Sequence, residues 1–167
     1  MLTDTGKVQW ASRTLPVIVA FITCLISTDS VGQQQKPDLS GTWRLNLKAS
    51  KLAPEHPRDT DTYQIKHTEP RIEVRHLFNG RSELYSYITD GKERIVNMSV
   101  QDGPLRAKAS WDGDTLVIEK HQERGDTTWV SRYKLSQDAK TLELTQHVSK
   151  SALSSPFDES LFYEKQR

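Results

Sequence analysis

The stretch Leu105-Arg106-Ala107-Lys108-Ala109-Ser110-Trp111-Asp112-Gly113-Asp114-Thr115-Leu116-Val117-Ile118 decides the fold class. Apolar and polar residues alternate one by one from Leu105 to Trp111, the period of a strand with one buried face. Asp112-Gly113 breaks that period with residue types that tolerate the positive φ of a tight turn, and apolar residues resume at Leu116. Strand, short turn, strand is an antiparallel hairpin.

The same pattern extends in both directions. Downstream, Glu123-Arg124-Gly125-Asp126 turns the chain into Trp129, Ser131, Tyr133 and Leu135, which alternate with Val130, Arg132 and Lys134. The turn Ser136-Gln137-Asp138-Ala139-Lys140 leads to Leu142, Leu144, Gln146 and Val148, and a loop through Ser154-Ser155-Pro156 precedes a last strand with Leu161, Phe162 and Tyr163. Upstream of the quoted stretch lie the turn Gln101-Asp102-Gly103-Pro104, the strand Ile95-Val96-Asn97-Met98 and the turn Asp90-Gly91. Leu84, Ser86 and Ile88 share one face, Asn79-Gly80 is a strong hairpin signal, and Ile72, Val74, His76 and Phe78 share a face before it. Tyr63, Ile65 and His67 form the strand before that, after a loop with Pro54, His56 and Pro57. Trp43, Leu45 and Leu47 open the series, and residues 48–52 have room for one helical turn at most. The expectation is an all-β domain, an antiparallel up-and-down meander closing into a barrel of about 8–10 strands. Closure requires the first strand, with Trp43, to pair beside the last, near Tyr163, since an open meander leaves two exposed edges.

The N-terminal region differs from the rest. Residues 1–13 are polar and carry Lys7 and Arg13, and residues 15–26 are an apolar run of about a dozen, short of the roughly 20 that span a bilayer as a helix. Small residues follow in Ser30-Val31-Gly32. This is the pattern of a secretion signal over residues 1–32, with cleavage expected after about Gly32. Residues 33–39 then read as a flexible leader and residues 40–167 as a single β-barrel domain. An exported protein, periplasmic or extracellular, with no stable membrane span after cleavage is the expectation. Cys24, the sole cysteine, leaves with the signal, which removes disulfides, zinc–thiolate sites and cysteine nucleophiles together.

The mature part, about 135 residues, is near the commonest domain size. The formal net charge is +1, and removing residues 1–32 takes away Lys7 and Arg13 but also Asp4 and Asp29. Basic and acidic residues interleave along the rest of the chain, so nucleic acid is not an expected partner.

Asp38-Leu39-Ser40-Gly41-Thr42-Trp43 places a Gly-x-Trp on the first strand and resembles the opening of lipocalins and related calycin barrels. The resemblance implies that Gly41 and Trp43 are structural, with the tryptophan across the closed end and a basic residue from the last strands over it. Thr89-Asp90-Gly91-Lys92-Glu93, Trp111-Asp112-Gly113-Asp114-Thr115-Leu116 and Leu135-Ser136-Gln137-Asp138-Ala139-Lys140-Thr141-Leu142 are similar to small exported bacterial lipocalin-like proteins of unassigned function. The chain departs from true lipocalins in having no disulfide and no clear C-terminal helix.

No nucleophile elbow, zinc-protease helix motif, phosphate-binding glycine loop or Cys-x-x-Cys occurs, so no catalytic residue, metal ligand or cofactor is assigned. His67 and His76 fall on the inward face of adjacent strands, where they could meet as a metal, haem or acid–base pair or sit hydrated near a barrel mouth. Asp59-x-Asp61 and Asp112-x-Asp114 read as turn residues rather than calcium loops. Asn97-Met98-Ser99 is formally a glycosylation sequon within a strand. The aromatic residues, Tyr63, Trp129 and Tyr133 among them, fit either plain core or the wall of a cavity. Ala107 and Ala109 are small and inward by parity, which leaves space, and Ser86, Asn97, Ser131 and Gln146 would supply polar groups on the same side. The expected binding set is therefore Tyr63, His67, His76, Ala107, Ala109, Trp129 and Tyr133. The expected function is a non-enzymatic barrel holding a small apolar or amphipathic ligand. An extracytoplasmic interaction module such as an enzyme inhibitor, and a haem- or metal-binding barrel, are the alternatives.

Overall fold

The computed structural model describes residues 35–54, 58, 60–149 and 155–167. The expected secretion signal lies outside them. They form ten strands: β1 (Gly41–Leu45), β2 (Asp61–Thr68), β3 (Arg71–Phe78), β4 (Arg81–Ile88), β5 (Arg94–Ser99), β6 (Gly103–Asp112), β7 (Thr115–Gln122), β8 (Thr127–Leu135), β9 (Thr141–Val148) and β10 (Phe157–Lys165). No described residue is helical.

One antiparallel sheet holds all ten, in the order β4-β3-β2-β1-β10-β9-β8-β7-β6-β5. The first and last strands pair as the meander requires, with Trp43 opposite Lys165 and Leu45 opposite Tyr163. The barrel is nearly closed, because β4 and β5, consecutive in the chain, share no ladder. The linker between them bonds elsewhere: Thr89 N donates to Pro70 O in the β2–β3 turn and Gly91 N to Ala109 O on β6, both at 2.9 Å. Reading every short turn as joining hydrogen-bonded neighbours therefore fails at this one step.

The turns follow local chemistry. Asn79 and Gly80 sit at φ 46° and 73°, the left-handed pair of a two-residue hairpin between β3 and β4. Gly41 is at φ +148°, and a Cβ there would stand 2.8 Å from Lys165 Cε. That space is taken because the Lys165 ammonium lies 5.1 Å from the Trp43 ring centroid, the basic residue that the Gly-x-Trp resemblance implies. Trp43 is fully buried, and its indole N–H donates to Leu39 O at 3.0 Å.

Inward residues make a continuous core that includes Ile65, Ile72, Val74, Leu116, Leu142, Leu144 and Leu161. The face of β4 differs from the sequence reading. On β4 the inward face is Tyr85 and Tyr87, while Leu84 is 55% exposed and Ser86 points outward with it. On β5 the register shifts between Ile95 and Asn97, a bulge that resets the alternation. Asp61 is not a turn residue: it begins β2 and is buried.

Candidate functional site: an aromatic cavity at the open end

The chain crosses from one barrel end to the other on every strand. Trp43, His67 and Trp111 belong to the closed end, where residues 36–40 lie across the opening. The turns after β3, β5 and β7 lie at the other end, which holds a cavity of about 720 Å³.

The cavity wall is made by inward positions at the open-end halves of the strands. Tyr63 and His76, opposite each other on β2 and β3, stack with ring centroids 4.2 Å apart and planes 8° from parallel. Phe78 continues the stack from His76 at 4.4 Å and 22°. Tyr133 meets Tyr63 edge-on at 6.2 Å. Tyr85, Trp129 and Phe157 complete the aromatic lining. Asn97, Gln122, Ser131 and Gln146 add neutral polar groups to it.

One side of the cavity is an ion cluster. Arg58, in the loop before β2, donates from Nη1 to Asp61 Oδ2 and from Nη2 to Glu159 Oε2, both at 2.8 Å. His76 Nε2 bonds Asp61 Oδ1 at 2.8 Å, and Ala53 N donates to Glu159 Oε1 at 3.2 Å. The two carboxylates are buried and fully used. Burial works against the Arg58 charge, but Glu159 and Asp61 outweigh it, and the guanidinium is held above its ordinary pKa. Burial also pushes the phenols of Tyr63, Tyr133 and Tyr163 up, so they stay neutral.

Lys120 is in a different state. It follows Leu116 and Ile118 on the inward face of β7, and its ammonium lies 5.3 Å from the Tyr85 ring centroid and 5.6 Å from that of Trp129. No described carboxylate is within ion-pair distance of it; Glu83, which also lines the cavity, accepts the Tyr85 hydroxyl at 2.9 Å. Burial lowers the Lys120 pKa, and Glu83 opposes this only in part.

Of the expected binding residues, Tyr63, His76, Trp129 and Tyr133 line this cavity. Ala107 and Ala109 do not: they are buried in the core, where small size admits packing rather than leaving space. His67 is at the closed end. It pairs with Ile72 while His76 pairs with Tyr63, so the two histidines do not meet. His67 Nδ1 accepts the Leu39 N–H at 3.3 Å and its Nε2 bonds Glu69 at 2.9 Å, which uses both ring nitrogens. His76 has both ring faces covered, by Tyr63 and Phe78. Among the described residues no group of three or more His, Cys, Asp or Glu side chains could hold a metal ion.

Sequence reasoning missed Arg58, Asp61, Lys120 and Glu159. Parity marks three of them: Asp61 is in phase with Tyr63, Lys120 with Ile118, and Glu159 with Leu161. A charged residue in the inward phase was the available signal.

No protein-family model matches this chain, and no curated protein matches its sequence. Solved structures do match its shape. The REP1-NXSQ fatty acid transporter aligns at TM-score 0.56 and 13% identity, over 77% of this chain and 96% of its own. Fatty-acid-binding protein 1 of Echinococcus granulosus aligns at 0.56 and 10%, over 77% and 97%. A secretary abundant heat soluble (SAHS) protein from Ramazzottius varieornatus aligns at 0.61 and 14%, over 80% and 98%. The chain shares the fold of these barrels. A lipocalin-like barrel fits coarsely, and at such identities the likeness is one of fold alone.

Proposed function

We propose that this protein is a non-enzymatic binding barrel that holds a small amphipathic molecule in the open-end cavity. The observation that carries this reading is the cavity itself: about 720 Å³, ringed by aromatic side chains, with a few convergent polar groups. That combination of volume and lining is typical of small-molecule sites. Two of the similar structures are named for fatty acid transport or binding, which supports the reading without extending their ligands to this chain. The charged groups support binding over catalysis. Arg58, Asp61 and Glu159 are bonded to one another, and among the described residues no hydroxyl or thiol is hydrogen-bonded to His76 for activation.

Native mass spectrometry of protein purified from its own host tests this. A bound mass released on denaturation is the expected result. A chain that arrives empty and takes up no small amphiphile overturns the reading. The proposal includes export, supported by the apolar run at residues 15–26 and the small residues after it. N-terminal sequencing of the mature protein should then start near residue 33, and a start at Met1 overturns that part.

A further inference from the structure

The geometry points to an aromatic carboxylate as the ligand class of this cavity, with its rings among the aromatic walls and its carboxylate on Lys120. This rests on the binding reading above and narrows it.

The composition of the wall carries the first half. Tyr63, Phe78, Tyr85, Trp129, Tyr133 and Phe157 all contribute rings, His76 adds another, and among the described residues no Leu, Ile, Val, Met or Ala lines the cavity. Aliphatic side chains are plentiful in this barrel, but they fill the core and do not face the cavity. A flexible alkyl chain gains from contact area of any kind and loses rotamer freedom when confined. A flat π-system loses little freedom and gains further from stacked and edge-on ring contacts. Tyr63, His76 and Phe78 already display that geometry among themselves. The neutral polar groups of Asn97, Ser131 and Gln146 also suit a polar, flat molecule better than a hydrocarbon tail.

The second half comes from charge. Arg58 is committed to two buried carboxylates, whereas Lys120 faces the cavity with two aromatic rings and no ion pair. Glu83 and Asp102 also line the cavity, but they accept from Tyr85 and Ser99 and neither pairs with Lys120, so an ammonium half withdrawn from water with only ring faces in contact is an incomplete site for an anion. A carboxylate placed there would make a charge-assisted hydrogen bond to Nζ. Its attached ring would then extend toward the Tyr85 and Trp129 side chains that already flank the ammonium.

Calorimetry reads the test on the full-length protein, with 2-naphthoate, decanoate and 2-naphthalenemethanol as probes. Naphthoate should bind at least about tenfold more tightly than decanoate. Lys120→Met should cost naphthoate about tenfold or more, the range of one charge-assisted contact, and leave naphthalenemethanol nearly unchanged. Decanoate binding as tightly as naphthoate overturns the aromatic assignment while leaving a binding barrel in place. Equal losses for naphthoate and naphthalenemethanol in the variant overturn the assignment of Lys120. The probe ranking on the unaltered protein stands whether or not the variant folds. Failure of all three probes, with a chain empty from its host, removes the underlying reading instead.

Discussion

Arg58 and Glu159 meet at 2.8 Å between a loop and the last strand, and the same guanidinium reaches Asp61 on β2 at the same distance. One cation thereby bridges two buried carboxylates and ties the loop before β2 to the barrel mouth. Replacing it should be costly for what it leaves behind. Arg58→Met should destabilise the protein by about 3–5 kcal/mol in urea unfolding, the cost of uncompensated buried charge. Adding Glu159→Gln to that variant should recover part of the loss. A double variant that merely sums the two single losses would show that the pair is not coupled.

Lys120 carries the opposite expectation. Its charge is partly withdrawn from water without a counter-ion, so Lys120→Met should stabilise the ligand-free protein, by roughly 1 kcal/mol, while weakening anion binding. Urea midpoints of the two proteins without ligand check the sign.

The pH dependence of Lys120 follows from its lowered pKa. A lysine whose folded pKa lies below its unfolded value destabilises the fold while charged, and the penalty fades as pH rises through the folded value toward the ordinary 10.5. Lys120 should therefore contribute a gain on the alkaline side, opposed by the buried phenols, whose raised pKa values cost stability above pH 10; the gain is read as the difference between the unaltered protein and Lys120→Met, which should lack it. Binding of 2-naphthoate should weaken over the same range, as the ammonium loses its proton. Thermal unfolding across an alkaline pH series, with and without naphthoate, measures both.

At the closed end, Glu69 accepts Thr89 Oγ1 at 2.7 Å and Trp111 Nε1 at 2.6 Å, and bonds His67 at 2.9 Å. Burial works against the carboxylate, but these three hydrogen bonds outweigh it and lower its pKa. A lowered carboxyl pKa gives stability that is present above the ordinary value of 4.5 and lost as pH falls through the folded value. Glu69→Gln should flatten that acid limb, read by urea midpoints across an acid pH series.

Gly41 should not tolerate a side chain. An alanine there is strained at φ +148° and its Cβ collides with Lys165 Cε. Gly41→Ala should cost about 1–3 kcal/mol, and Lys165→Ala in the same chain should relieve the collision but not the backbone strain. Thermal midpoints of the single and double variants separate the two.

The all-β class and a count of about 8–10 strands were readable from alternation and turn dipeptides, which depend on neighbours in the chain, while the meeting of Trp43 with the last strand followed from the need to leave no exposed edge. The β4 face was misread because both phases carry apolar groups: Leu84 and Ile88 compete with Tyr85 and Tyr87, and the aromatic phase prevails inside. The missing β4–β5 ladder has no local signature, since pairing depends on how the linker at Thr89 and Gly91 is captured by Pro70 and Ala109. The cavity's ionic groups escaped notice for a different reason. Asp61 and Glu159 stand at strand starts and Lys120 near a strand end, where a charge is ordinarily taken as the onset of solvent. Alanine size, too, does not distinguish a void from tight packing, as Ala107 and Ala109 demonstrate.

The absent ladder between β4 and β5 has a kinetic corollary. The sheet consists of two meanders, β1–β4 and β5–β10, each assembled from hairpins between chain neighbours, and they hydrogen-bond as strands only where β1 lies against β10. That junction joins segments on the order of 120 residues apart, so its loop-closure entropy is the largest any pairing here incurs, and it should form after the hairpins. Conservative substitutions along β1 and β10 should then chiefly accelerate unfolding, while those within the β6–β7 hairpin should slow folding. The barrel would assemble as two curved staves, joined last along the strand that carries Trp43.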